Sequence, residues 1–207
     1  MAQLLTNWKE NFDNQFAWQF TFIPQIEIIL AKYFGINYET DTIEIASKHD
    51  DMVYGIDISV KKKSKSGVVT IHDIGLRTRR MEEYEKYNQE FTVRYPSEYD
   101  KIFKGYLDYE LYSFGDDNGN ILKYTIIDLS VLRQPKYLDY INDVKIMANV
   151  NDSTTFKAFE YSKFASELIL DTRTRTPAIE QTLKEMKIKS AADIKAAIIK
   201  TREKLAV

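Results

Sequence analysis

Cysteine is absent from the 207 residues. That excludes disulfides, thiolate metal sites and a Cys nucleophile, and it fits a cytoplasmic setting without requiring one. Histidine occurs only as His49 and His72, which leaves His-rich metal centres and Ser-His-Asp chemistry little to draw on. The 7 glycines form no phosphate-cradling loop, so a nucleotide-driven motor or a dinucleotide-binding fold is disfavoured. No apolar run approaches the ~20 residues that span a bilayer. The N-terminus lacks the cationic start and apolar run of a signal peptide. The expectation is a soluble cytoplasmic protein with no membrane partner. An excess of one charge is missing too: the formal net charge is −2, so any nucleic-acid surface must be local.

Apolar residues make up 44% of the chain, with 14 Tyr and 11 Phe, ample for a core. Residues 3–34 have helical spacing in two pieces. The second carries Ile23, Ile26, Ile29, Leu30, Tyr33 and Phe34 on one face, Pro24 in its first turn and Gly35 as its stop. A short strand is expected at 42–46.

The stretch 51–80 alternates with period two. Met52, Tyr54, Ile56, Ile58 and Val60 are apolar, with Gly55, Asp57, Ser59 and Lys61 between them, which predicts a half-buried strand over 52–60. A second strand over 68–79 places Asp73, Gly75, Arg77 and Arg79 on one face, and Thr70, His72, Ile74, Leu76 and Thr78 on the other. Paired as a hairpin across the Lys61–Lys65 turn, the two strands put Asp57 on a face with Asp73 and the arginines, in a register the sequence leaves open.

Further on, 90–94 reads as a strand ending at Pro96. Ser97 reads as the N-cap of a short helix closed by Gly105. Two strands flank the Asn118–Gly119 turn. Residues 137–141 suit a helix, 157–164 an extended edge, and 149–155 a loop. Thr176-Pro-Ala-Ile-Glu180 and Ser190-Ala-Ala-Asp193 are helix starts. The expected architecture is α/β (α+β): a mixed β-sheet flanked by helices in a core domain at 1–170, then a C-terminal helical tail at 171–207.

This order of elements also suits the restriction-endonuclease-like fold, whose PD-(D/E)xK site sets two carboxylates on adjacent strands around a divalent cation, with a Lys beside the attacking water. Asp57 is the candidate first carboxylate and metal ligand, with Asp51 or Asp73 as the second. Lys61 or Arg77 stands in for the lysine, although an arginine stays protonated and can clamp a phosphate but not act as a base. Mg²⁺ is the implied ion. Arg79, Arg80, Arg94 and Lys101 are candidates for the nucleic-acid backbone.

From about residue 23 to 133 the chain also resembles a group of uncharacterised phage-associated proteins with that site pattern. The resemblance rests on Asp51 and Asp57, Arg77-Thr-Arg79-Arg80, Phe91-Thr-Val-Arg94, Glu98-Tyr-Asp-Lys101-Ile102, Gly105, Tyr112, Asp128 and Arg133. It implies a nuclease-like scaffold borne by mobile elements and working in the host cytoplasm.

Three functions follow as alternatives. The first is a Mg²⁺-dependent nuclease acting on DNA or RNA. The second is an inactive nuclease-fold protein that binds a nucleic acid or protein partner in phage–host conflict. The third is a structural protein, with self-association into a homo-oligomer as its sign. In the plainer reading, Asp57 pairs with Arg77 or Arg79, Asp51 caps a turn, the lysine run is a solvated turn and His72 is a core histidine.

Overall fold

A computed structural model describes residues 18–83, 89–149, 154–164 and 167–174. Helix α1 (Ile23–Phe34) starts with Pro in its first turn, where the missing N–H costs nothing, and stops at Gly35. Gly35 adopts the left-handed conformation (φ 62°) and donates its N–H to the Ala31 carbonyl. The buried stripe of α1, Ile26 and Leu30, lies on one face of a six-stranded sheet.

That sheet contains β1 (Thr42–Ile45), β2 (Ile58–Lys63), β3 (Val69–Arg80), then β5 (Tyr109–Gly115), β6 (Ile121–Asp128) and β9 (Ile169–Thr174), in that spatial order. All neighbours run antiparallel except β3 and β5, which are parallel from Ile74↔Tyr109 to Arg80↔Gly115. A parallel pair needs a long crossover. This one leaves the sheet to form β4 (Glu90–Tyr95) and α3 (Ser97–Phe103) before returning.

β4 belongs to a second, three-stranded sheet with β8 (Thr155–Glu160) and β7 (Met147–Ala148). It covers the other face of the large sheet together with α4 (Pro135–Asp143). Two cores result. One packs Phe22, Ile26 and Leu30 against Ile58, Val60, Ile74, Leu111 and Ile126; the other packs Phe91, Val93, Phe159 and Phe164 against Tyr112, Phe114 and Ile127. Phe22 is fully buried. A Cβ at Gly115 would stand 2.3 Å from its ring, so this strand position has no room for a side chain.

The mixed sheet flanked by helices is as expected, and the β2–β3 hairpin, the Gly119 turn (φ 77°) and α4 fall where the sequence placed them. Three expectations are corrected. Residues 52–54 are not strand: Lys48–Tyr54 is a helix, α2, because the Ser47 hydroxyl accepts the Asp50 N–H (3.1 Å) and Gly55 (φ 77°) closes it. Local capping at both ends overrides the period-two pattern over 52–54, while Ile58 and Val60 are fully buried and Ile56 packs partly buried against the core. Pro96, not Ser97, precedes α3. The large sheet runs on through residues 171–174, into the segment assigned to the tail, because β6 has a free edge that β9 fills. The helix starts at 176–180 and 190–193 lie outside the described residues.

Candidate active site on the inner face of the large sheet

The face of the sheet turned away from α1 is made by alternate residues: Asp57 and Ser59, Asp73, Gly75, Arg77 and Arg79, then Glu110, Tyr112 and Phe114. Asp57 immediately precedes β2 and donates its N–H to the Ile74 carbonyl (3.0 Å), which sets it beside Gly75. Gly75 is in turn paired with Glu110. A row of Asp57, Gly75 and Glu110 therefore crosses three strands, with two carboxyl groups flanking a residue that has no side chain. A Cβ at Gly75 would come within 3.3 Å of a Leu107 methyl and 3.7 Å of the Gly55 carbonyl, so the space is small and bounded. The next row is Arg77, Tyr112 and Thr125.

Helix α3 enters from the crossover side. Its Glu98 accepts a 2.6 Å bond from Arg77 Nη1 and a 2.7 Å bond from the Arg94 N–H. Lys101 Nζ donates to the Asp51 carbonyl in α2 (2.9 Å), tying α2 and α3 together over the row.

The electrostatics follow from this crowding. Desolvation pushes the Asp57 carboxyl up to about 8; the Leu76 N–H, donated to Asp57 Oδ2 at 2.7 Å, and Lys101 pull the other way, while Asp51 and Glu98 add to the rise. Glu110 is also pushed up to about 8, chiefly by burial, with Arg77 opposing and Glu98 and Asp57 reinforcing. Burial is thus the main cause at both carboxyls, and the charge of Asp57 adds to the rise at Glu110. Burial likewise raises Asp51, against Lys101. In Glu98 burial is outweighed by Arg77 and the Arg94 N–H, and its carboxylate stays below the usual range. One side of the site is therefore a fixed Arg77–Glu98 ion pair. The other is a pair of carboxyls in which burial outweighs the nearby cations, Lys101 for Asp57 and Arg77 and Arg79 for Glu110.

Asp57, Asp73, Arg77 and Arg79 share the face that the alternation predicted. The hairpin register takes Asp73 away from the row, where it accepts a 2.6 Å bond from the Ser59 hydroxyl and its N–H meets Asp108 (3.0 Å). Asp51 reaches Asp57 through space from α2, not from a strand. Lys61 is paired with Glu44 (2.6 Å). Arg79 binds the Tyr112 hydroxyl (2.7 Å) and the Thr92 hydroxyl. Arg80 meets Asp117 and stacks over Trp18. Arg94 is exposed. His72 stacks on Phe34 (4.9 Å between centroids) but is only partly buried, not a core histidine.

The sequence reading missed Glu110. The signal was present: one acid inside the apolar run Tyr109–Gly115, only 8% exposed in the structure. Buried carboxyls are rare enough to warrant explanation. It missed Glu98 as the partner of Arg77, a contact between elements 21 residues apart.

Among the described residues no three His, Asp or Glu side chains stand together as a metal-binding group, and no helix is long and apolar enough to cross a membrane. No protein-family model and no curated protein sequence matches the chain. A solved structure similar to it is that of D212, a nuclease from a fusselovirus, at 12% identity over 67% of this chain and 77% of that one, with a TM-score of 0.36. A likeness at that level assigns neither residue nor activity.

Proposed function

We propose that the protein is a divalent-metal-dependent nuclease of the kind carried by phages and mobile elements, with Asp57 and Glu110 as its metal-holding carboxylates. The observation that supports this is the Asp57–Gly75–Glu110 row. Two carboxyls that burial pushes up to about 8 sit in a confined space, and neither has a basic side chain bonded to it. Mg²⁺ is satisfied by one or two carboxylates, the rest of its shell coming from water and substrate oxygens, so a pair of acids fits it where a triad would be needed for a closed protein cage. When bound there, such an ion would supply the positive charge that polarises a phosphate and acidifies a water.

The chain's own residues take the remaining roles. Arg77, oriented by Glu98, presents a permanent cation to a phosphate beside the row. The strand lysine of the PD-(D/E)xK pattern is replaced by arginine, and Lys101 reaches the site from α3 instead. Its ammonium, close enough to act on Asp57 electrostatically, can hold a water or a phosphate oxygen. Gly75 keeps the space between the acids open.

The test is cleavage of DNA and RNA oligonucleotides with Mg²⁺ or Mn²⁺ and with EDTA. The reading expects ion-dependent cleavage that Asp57→Asn and Glu110→Gln each reduce by ~100-fold or more, the scale of losing charge stabilisation at a reacting centre. Cleavage unaffected by both substitutions, or none under any ion, overturns it. The engagement of Arg77 by Glu98 favours a second reading, an inactive nuclease-like domain that binds a nucleic acid or protein partner. There Asp57→Asn leaves the complex intact and charge reversal at Arg79 or Arg94 breaks it.

A further inference from the structure

Helix α2 has no buried residue. Its ends are fixed by Ser47 and Gly55, so its apolar side chains are not needed for the core. Yet Met52 is 67% exposed and Val53 44%, and Tyr54 follows directly. Tyr54 packs edge-on against Tyr106, 5.1 Å between centroids, and Tyr106 is 39% exposed. His49, on the same helix, stands 6.1 Å from Tyr54. These rings adjoin the segments that border the carboxylate row. Tyr54 adjoins Gly55, whose carbonyl borders the Gly75 gap, and the Tyr106 N–H donates to the Lys101 carbonyl (3.2 Å). Lys101 Nζ would stand 3.7 Å from a Cβ at Gly55, the residue after Tyr54, and the exposed Lys104 lies two residues before Tyr106.

Aromatic faces with cations beside them fit the two surfaces of an unpaired nucleotide, its base and its phosphate. A duplex offers a cleft rim only phosphates and groove edges; its base faces are hidden in the stack. We infer that Tyr54 and Tyr106, with Met52 beside them, form a stacking shelf that receives bases of a single-stranded nucleic acid and leads the strand to Asp57 and Glu110. The inference rests on the nuclease reading for what happens at the cleft, but strand binding at the shelf is separable from it.

The experiment measures binding in EDTA by fluorescence anisotropy, with labelled DNA and RNA single strands of about 12 nucleotides and the DNA duplex of the same sequence. The full-length protein should bind a single strand at least ~10-fold more tightly than the duplex. Tyr54→Ala and Tyr106→Ala should each weaken single-strand binding ~10-fold, and Tyr→Phe at either site should restore it to within about twofold, since the ring and not the hydroxyl carries a stacking contact. No single-strand binding, alanine variants that bind like the parent, or a duplex bound as tightly with the same dependence on the tyrosines would overturn the inference. So would a change from dimer to monomer on sizing the double-alanine variant without loss of strand binding, which would make the shelf a contact between copies. Tyrosine-dependent strand binding in a protein that cleaves nothing supports the shelf and removes the nuclease reading.

Discussion

Glu110→Gln separates a site built to receive a cation from an ordinary buried acid. Glu110 is 8% exposed and its carboxyl is pushed up to about 8 from the ordinary value of 4.5, chiefly by burial. Between those two values the folded protein keeps a proton that the unfolded chain has released. Stability linked to this group is therefore complete at low pH and falls as pH rises through about 8. At ~1.4 kcal/mol per pH unit the full interval corresponds to a ceiling of about 5 kcal/mol. Water reaching the partly exposed Asp57 side should screen part of it, leaving about 2 kcal/mol as the expected effect. Glutamine mimics the neutral acid and does not titrate. In EDTA the parent and the variant should melt together near pH 5, and near pH 9 the variant should melt higher by about 4–8 °C, using 2–4 °C per kcal/mol for a chain of this size. With millimolar Mn²⁺ near pH 9 the order should reverse, because only the parent keeps both carboxylates for the ion. The assay is a series of thermal melts from about pH 5 to about pH 9.5, with and without the ion. Parallel curves for parent and variant in EDTA would refute the desolvated-acid account. A variant that stays the more stable with Mn²⁺ would refute the cation account.

Calorimetry of Mn²⁺ binding near pH 7, in buffers of different ionisation enthalpy, should show release of about one to two protons per ion, because both carboxyls stand near 8; no buffer dependence would contradict this. Gly75→Val should fill the gap between the acids and press on Leu107, abolishing ion binding and costing about 1–3 kcal/mol in a urea titration. An unchanged ion affinity would show that the ion does not sit there. Gly115→Ala should destabilise by a similar or larger amount without touching the site, since its methyl would displace the buried Phe22 ring; a neutral change in melting would show that α1 can shift. Arg77→Met leaves the Glu98 carboxylate without its 2.6 Å partner and should cost about 1–3 kcal/mol, read as a lower urea midpoint that returns toward the parent value in Arg77→Met with Glu98→Gln.

Helix α1, the β2–β3 hairpin, the turn at Gly119 and helix α4 were legible from the sequence because their signals are local: a 3.6-residue apolar stripe with Pro and Gly at its ends, alternation broken by a polar turn, a glycine with positive φ. Alternation likewise put Asp57, Gly75, Arg77 and Arg79 on one face, since period two fixes facing once two strands pair. It failed at residues 52–54, where Ser47 and Gly55 cap a helix and the apolar alternation has no sheet neighbour to satisfy.

Tertiary structure alone decided which acid stands beside Asp57. The parallel pairing of β3 with β5, made by a crossover through another sheet, brings Glu110 to the far side of Gly75, and the same crossover delivers Glu98 to Arg77 and Lys101 to Asp51. Strand order and register in a non-local pair depend on how two cores fill around the sheet, and no short window of residues encodes that. The residue types of a carboxylate site were written in the chain. Their partners were assigned by the sheet.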